Sequence, residues 1–534
     1  MRSPLIRIRS LSILLIPSFL LCAIACDKGG PGAGGDAKGK SEAPASRRAG
    51  VLVYGRGKDS VTLDPAEAQD GESSKVIDNL YETLVDFSKD PENPGRVVPL
   101  LATSWKESAD RHSWTFQLRK GVKFHDGTTF DAKAAKLSFD HLLDPDAPTA
   151  RPYRSNFLNI KSVEAKGEHE LVFHLEQPSV VLVRNLAMFC SSIISPTALA
   201  KSGKHFSSQP VGTGPFRFGR WKKGQVVVLD RFEDWWGPKR GNIKTIVFSQ
   251  IKDWASRREQ LISGEIDMTD DIVFQDVESL RNAEHCEVQI RDGINVCYLS
   301  LNNTKAPFDD PRVRRAAAMA VDRDRIIKLG YHGQAVQARD LIPANIQGHA
   351  EVAPEHSIEQ ARKLLEQAGK TGIEVEFWVM NNPRPYLMQP DQVAQIIKES
   401  LQKAGFRVRI VKLDWATYLK RLGDGAHQLA IIGWSTDNAD PDNFYSPLLS
   451  QAAIGGTNYS RFADDDFNAA LQASKHAANW DERGRLFGRM QEILRRECPS
   501  VPLVYTRIGS AYLDRVTGFV RHPIKIYLGD TSVD

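Results

Sequence analysis

The feature that most constrains this chain is a run of alternating elements between residues 357 and 434. Ser357 to Gly369 (SIEQARKLLEQAG) sets Ile358, Ala361, Leu364, Leu365 and Ala368 at helical spacing, opens on a capping serine and closes on a glycine. Glu374 to Met380 (EVEFWVM) then reads as a strand, and Asp391 to Ala404 as a helix with Val393, Ile396, Ile397 and Leu401 inward. Arg407 to Leu413 reads as a second strand, Trp415 to Leu422 as a short helix, and Gln428 to Gly433 (QLAIIG) as a third strand. Strand–helix–strand–helix–strand demands parallel strands joined by right-handed crossovers. In open sheets of that kind ligands bind beyond the carboxyl ends of the strands. Two loops leave such ends, 381–390 (NNPRPYLMQP) and 434–444 (WSTDNADPDNF), so a site is expected there.

The rest of the body alternates strand-like and helix-like text. Val51–Tyr54, Trp114–Leu118, Val122–Phe124, Glu170–Leu175, Thr245–Ser249 and Val296–Leu301 read as strands, and Ser74–Leu84 reads as a helix. With 534 residues, more than one core is needed. Seventy Lys and Arg face 66 Asp and Glu, a balance of +4 that is evenly interleaved and does not build a nucleic-acid groove.

The first 26 residues stand apart. Arg2, Arg7 and Arg9 precede an apolar stretch, Leu11 to Ala25, of 15 residues. That is shorter than the roughly 20 needed to span a bilayer as a helix. It ends in Ala23-Ile24-Ala25-Cys26, which resembles a bacterial lipoprotein cleavage site with Cys26 acylated; a non-lipidated leader cleaved nearby is the alternative. Residues 27–50 are rich in Gly, Ala, Lys and Ser and cannot bury a core, so they are expected to be a flexible tether. Cys190, Cys286, Cys297 and Cys498 follow in the body; Cys286 and Cys297 flank Arg291-Asp292-Gly293, and a disulfide across a hairpin is one reading of them. Neither CxxC nor zinc-like His/Cys spacing occurs, and no metal site is assigned.

The two strand-end loops hold the chemistry. Asp437, Asp440 and Asp442 follow Trp434, and a carboxylate beside an indole attracts an ammonium group through a charge-assisted hydrogen bond and cation–π attraction. The same aspartates can instead cap the next helix or shape a turn, a role that suits Asp440 and Asp442. A calcium site from the trio lacks EF-hand spacing. Arg384 sits between two prolines and ahead of Tyr386, a stiff setting that suits bidentate capture of a carboxylate, although a surface salt bridge is the plainer alternative. Together, Asp437 and Arg384 suit a ligand with an amine at one end and a carboxylate at the other. A dipeptide spans about 7 Å between its termini, which with one hydrogen bond at each end sets the two groups roughly 12 Å apart. No GxSxG, HExxH or P-loop is present. Pro210 to Phe216 (PVGTGPF) reads as a turn where backbones approach closely, and His125-Asp126-Gly127 as a hairpin turn.

Motifs spread over the whole body resemble, in order, the large peptide-binding proteins of ABC importers, the solute-binding family that includes dipeptide and oligopeptide binders. They include Leu63-Asp64-Pro65, Leu80 to Leu84 (LYETL), Pro99 to Trp105 (PLLATSW), Trp114 to Gly127 (WTFQLRKGVKFHDG), the Pro210–Phe216 turn, Trp236-Gly237, Gly264 to Asp267 (GEID), Val321-Asp322-Arg323 and Gly433 to Asp437 (GWSTD). The resemblance implies an α/β, periplasmic-binding-protein-like class II fold, a three-domain hinged clamp with mixed sheets. Domain I is expected over 51–80, 208–292 and 508–534, domain II over 81–207 and domain III over 293–507. It implies further that Asp437 holds the peptide α-amine and that Arg384, in Arg384-Pro385-Tyr386, holds the carboxylate as in dipeptide binders. Ile431 stands where oligopeptide binders carry a different arginine. Trp415, Tyr386 and Trp434 match cavity-lining aromatics, and Gly71 matches a backbone contact. Phe130 to Ala135 (FDAKAA) lacks the family's usual acidic pair, and the residues flanking Arg384-Pro385-Tyr386 differ from typical dipeptide binders.

The expectation is therefore a binding protein rather than an enzyme, without a cofactor. It is expected in the periplasm, lipid-anchored, and it hands a short peptide to permease subunits. A monomer is expected. The same Asp-plus-Arg framework serves glutathione and haem binders, so glutathione, haem or chelated nickel are alternative cargoes. An envelope peptidase using the Asp437, Asp440 and Asp442 carboxylates is the reading from another class.

Overall fold

The computed structural model describes residues 49–534 except 91, 92, 148 and 150. The leader, Cys26 and the expected tether lie outside the described residues, apart from Ala49 and Gly50.

Among the described residues twelve strands form one sheet: β1 (Val51–Arg56), β2 (Phe216–Lys222), β3 (Val226–Arg231), β4 (Thr245–Gln250), β5 (Met268–Asp270), β6 (Cys286–Asp292), β7 (Asn295–Leu301), β8 (Ala335–Gln337), β9 (Glu374–Met380), β10 (Arg407–Leu413), β11 (Leu429–Ser435) and β12 (Ser500–Leu513). The order is β10-β9-β11-β7-β12-β5-β1-β4-β3-β2, with β6 and β8 also paired to β12. β9 is parallel to both β10 and β11, as the alternating run demands. β11 then meets β7 antiparallel, and β7 meets β12 antiparallel, so the sheet is mixed. A separate four-stranded antiparallel sheet uses Ala102–Glu107, Ser113–Leu118, Ile160–Lys166 and Glu170–Leu175.

β12 ties the molecule together. Its first residues pair with β7 and its last with β6 and β5. One apolar core is drawn from residues 294–505, and another from residues 52–248, 268 and 512–533. No helix among the described residues is long and apolar enough to cross a membrane.

Four helices matter for the site: α1 (Gly71–Leu80), α2 (Ile358–Gln367), α3 (Pro390–Ala404) and α4 (Trp415–Gly423). The cap expected at Ser357 is made, and α3 and α4 start on local signals of the same kind. The Ser357 side chain accepts from the Gln360 amide, Asp414 accepts from Thr417, and α3 begins on Pro390 and stops at Gly405 with φ of 112°.

The structure corrects several expectations. α1 begins and ends earlier than expected. Asp70 caps it by accepting from the Ser73 amide, and the Leu80 carbonyl is taken by the Gly214 amide at 3.0 Å. The turn around Gly212 and Gly214 seats directly on that helix end: a Cβ on Gly212 would lie 2.3 Å from the Leu80 oxygen. Val122–Phe124 is no strand; Lys123 and Thr129 form an isolated bridge around the Gly127 turn. β11 runs on through Ser435, so Trp434 belongs to the strand and the loop is shorter. Cys286 and Cys297 are free thiols. They do not face each other across a hairpin, because β6 and β7 lie end to end along β12, Cys286 opposite Leu513 and Cys297 opposite Val504. Nine residues of strand separate those partners, roughly 30 Å.

Candidate functional site

Three neighbouring parallel strands end on the same edge of the sheet, and each delivers a piece of the site. β9 leads to Arg384 and Tyr386, β10 to Trp415 at the start of α4, and β11 carries Trp434 and leads to Asp437.

The β9 loop folds on itself. The Arg384 amide donates to the Leu387 carbonyl at 3.0 Å, and the Leu387 amide donates back to the Arg384 carbonyl at 2.8 Å. That turn lays the Arg384 guanidinium over the Trp415 indole, 3.6 Å from the ring centroid. A cation over an indole is worth about 0.5–2 kcal/mol, and stacking leaves the guanidinium edge open for a carboxylate. The Arg384 Nε is buried and meets no acceptor among the described residues. Tyr386 is nearly buried; its carbonyl accepts from the Tyr331 hydroxyl at 2.8 Å. Its ring packs against β11, where a Cβ on Gly433 would come within 2.3 Å of the ring. Glycine at 433 is therefore what allows the Arg384 loop to settle on its neighbour.

The β11 loop is built differently. Thr436, Asn438 and Asp440 are buried, and their side chains accept the loop's own amides: Thr436 from Asn438 and Ala439, Asn438 from Asp440, and Asp440 from Asp442. Asp440 also makes a two-pronged ion pair with Arg483 at 2.7 and 2.9 Å, with Arg184 at 3.6 Å. Burial pushes the Asp440 carboxyl up, but Arg483, Arg184 and the Asp442 amide together outweigh it and hold the group below the usual carboxylate range. Asp442 bonds Ser446 and faces Lys475. Asp440 thus does the turn-shaping work its position suggested, whereas Asp442 begins the next helix and ties to Ser446 and Lys475 instead of to a loop amide.

Asp437 differs from both. It is half-buried, and its Oδ2 accepts from the Tyr153 hydroxyl at 2.8 Å. No cation among the described residues pairs with it. Burial raises its carboxyl to about 6, against the lowering effect of the Tyr153 hydrogen bond. The Trp434 indole N–H is directed to Asn443 at 3.4 Å rather than to Asp437. Ile431 is buried in β11 and its carbonyl accepts from the Tyr418 hydroxyl at 2.6 Å. Gly71 is the exposed first residue of α1, with open space where a side chain would stand.

Sequence reasoning missed Tyr153, Arg184 and Arg483. Tyr153 lies 284 residues upstream of Asp437, and nothing in its local text marks it. Arg483 lies 43 residues beyond Asp440 on a helix whose charged surface looks ordinary.

A pocket that opens to solvent is lined by, among others, Asp78, Glu82, Asp86, Ser192, Lys525 and Tyr527. Asp86 is paired to Lys525 at 2.7 Å, and Glu82 is held by Thr213, Trp235 and Trp236. Burial raises both Asp78 and Glu82 to about 7.

Known proteins resemble the chain over most of its length. The profile of the Bacterial extracellular solute-binding proteins, family 5 Middle, matches residues 96–456. The chain is 31% identical to a dipeptide-binding protein of Pseudomonas aeruginosa over 504 residues, 90% of this chain and 94% of that one. It is 32% identical to heme-binding protein A of Haemophilus influenzae over 540 residues, 96% of each. A solved dipeptide-binding protein from Pseudoalteromonas sp. SM9913, in complex with Met-Leu, superposes with a TM-score of 0.79 at 26% identity, covering 91% of this chain and all of that one. The edge where β9, β10 and β11 end, and the mixed sheet behind it, are therefore those of a bacterial extracellular solute-binding protein of family 5, the family to which this chain belongs.

Proposed function

We propose that this protein is the extracytoplasmic solute-binding subunit of an ABC importer, capturing a short peptide, best a dipeptide, by both ends. The α-amine goes to Asp437 and the carboxylate to Arg384, with Tyr386, Trp415 and Trp434 along the walls and the Gly71 backbone at the rim. The observation that carries this reading is the pair of unmatched charges. Asp437 has a tyrosine where a half-buried carboxylate would take a cation, and Arg384 has an indole where a guanidinium finds an acid elsewhere in the fold. Withdrawing even part of an unpaired charge from water is costly, and two half-buried charges of opposite sign on adjacent strand-end loops make sense when a zwitterion fills the space. The 31% identity to a dipeptide-binding protein supports the same ligand class.

The catching step follows from ordinary electrostatics. An ammonium group on Asp437 forms a charge-assisted hydrogen bond worth about 1.5–3 kcal/mol and removes the penalty of the lone carboxylate. A carboxylate on Arg384 uses the guanidinium edge that stacking leaves free. Peptide side chains are tolerated where water supplies the missing polar partners. Closure of the expected domains I and III around the ligand then presents a face to the permease, and lipidated Cys26 keeps the protein at the membrane.

Calorimetry with free and N-acetylated Met-Leu tests the clamp. Binding of the free dipeptide, lost on acetylation and in Asp437→Asn, is expected; equal affinity for the acetylated peptide overturns it. Labelling of Cys26 by a fatty-acid probe in cells, absent in Cys26→Ser, tests the anchor. Haem is the second reading, favoured by the 32% identity to heme-binding protein A. A melting panel including haem, glutathione and nickel–histidine separates the two, because a ligand at 100 times its Kd stabilises the folded state by about 2.7 kcal/mol.

A further inference from the structure

Four consecutive residues of the β11 loop are gripped by side chains from one distant stretch of chain, residues 153–185. The Tyr153 hydroxyl donates to Asp437 Oδ2 at 2.8 Å. Asn438 Nδ2 donates to Asn185 Oδ1 at 2.8 Å. Arg184 Nη1 donates to the Ala439 carbonyl at 2.9 Å, and Arg184 Nε stands 3.6 Å from Asp440. The gripping residues are themselves braced: Asn185 Nδ2 donates to the Asn156 carbonyl at 2.9 Å, and the Tyr153 ring meets Phe189 edge-on at 5.2 Å. Ala439 is held at φ of 50°, a left-handed conformation that a β-carbon disfavours. Behind the seam, a Cβ on Gly95 would come within 2.8 Å of Arg184 Nη1 and 3.1 Å of the Ala439 side chain. The seam is close-packed and polar, and it touches the proposed amine site at one atom, Asp437 Oδ2.

We infer that Tyr153 is a positioning residue for the ligand's amino group, and that docking of the 153–185 stretch on residues 437–440 is what readies Asp437 to bind it. The hydroxyl occupies Oδ2, fixes the plane of the carboxylate and leaves Oδ1 for the ammonium. Because the phenol comes from a stretch 284 residues away, the arrangement exists only while the two stretches are docked. By linkage, a ligand that favours the docked geometry tightens the seam, and the seam tightens ligand binding by the same factor. The inference rests on the reading of Asp437 as the amine site.

The charged surroundings make the effect measurable. Asp437 is faced by Asp78 from α1, by the Cys190 thiol and by Tyr153, and Asp70 faces Tyr153 in turn; Lys525 faces Asp78 and Cys190. The Tyr153 hydrogen bond is what opposes the upward push of burial on Asp437. Burial also lifts the phenol well above its ordinary value, so it remains a donor throughout the neutral range.

Tyr153→Phe keeps the ring against Phe189 and removes only the donor. Calorimetry on the whole protein with Met-Leu is expected to show about a tenfold weaker affinity, with the pH of half-maximal binding moved upward and the melting temperature little changed. Arg184→Gln loosens the seam without touching Asp437, and is expected to weaken Met-Leu binding and to move that pH in the same direction by less than Tyr153→Phe does. In ligand-free protein with carboxyl-13C aspartate, the resonance lost in Asp437→Asn identifies the group, and its midpoint is expected to rise in Tyr153→Phe. An unmoved Asp437 midpoint overturns the inference whatever the cargo is. Unchanged Met-Leu affinity in Tyr153→Phe, with binding still lost in Asp437→Asn, overturns it while sparing the amine reading. Unchanged affinity in Asp437→Asn overturns both.

Discussion

The loops after β9 and β11 leave the same edge of the sheet but are held in opposite ways. The β9 loop is local: its turn closes between Arg384 and Leu387, and its guanidinium rests on an indole from the next crossover. The β11 loop is global: buried side chains knit it, Arg483 anchors it from a helix, and Tyr153, Arg184 and Asn185 hold it from the far side of the chain. A local loop can adjust to a ligand at small cost. A loop fixed by residues from three stretches cannot move alone, so whatever binds there is tied to the placement of those stretches. The lesson is sharpest within the β11 loop itself. Asp437 and Asp440 are three residues apart, yet one is held low by two arginines while the other, with a tyrosine alone, is raised to about 6.

The largest effect is expected at Asp440. Asp440→Ala strands Arg483 and Arg184 without their acid and should cost about 3–5 kcal/mol, read by urea unfolding. If the loss is below about 1 kcal/mol, the global loop is not fixed by that pair. Asp437→Asn should do the reverse, lowering affinity for Met-Leu about 100-fold while sparing the fold. Gly433→Ala drives a methyl into the Tyr386 ring; it should destabilise by about 1–3 kcal/mol and loosen the β9 loop, seen as faster amide exchange near Leu387. Arg384→Lys keeps the charge and loses the stacked, forked donor, and should weaken carboxylate-end affinity several-fold, in line with a contact of about 0.5–2 kcal/mol. An unchanged affinity there would mean that the local loop contributes little to capture.

The pH dependence follows from one sign. The folded-state carboxyl of Asp437 is raised to about 6, above its unfolded value. Native protein therefore binds that proton more readily, and the group lowers stability as pH rises from about 4 to about 6. Asp437→Asn should raise the melting temperature at pH 8 and leave it unchanged at pH 4. Amine capture needs the ionised form, so Met-Leu affinity should fall as pH drops below about 6. A binding curve flat down to pH 4 would break the distinction between the two aspartates.

Much of the fold was legible beforehand because it depends on short-range pattern. β9 and β10 were read to the residue, since apolar runs bounded by capped helices leave few alternatives. α1 was misread at both ends because its start depends on the Asp70 cap, and its end on a carbonyl captured by Gly214 from a turn more than a hundred residues away. The disulfide reading of Cys286 and Cys297 failed for a similar reason. Spacing suggested a hairpin, whereas both strands pair in tandem with β12 from the end of the chain.

Sequence alone determined that a parallel run exists and that its ends carry an arginine and a group of aspartates. Only the tertiary structure decided which aspartate meets arginines and which meets a tyrosine. Arg483 lies 43 residues from Asp440 and Tyr153 lies 284 from Asp437, and no local rule assigns those partners. Burial and Coulomb interaction act through space, so the charge state of a side chain is settled by what the fold brings beside it.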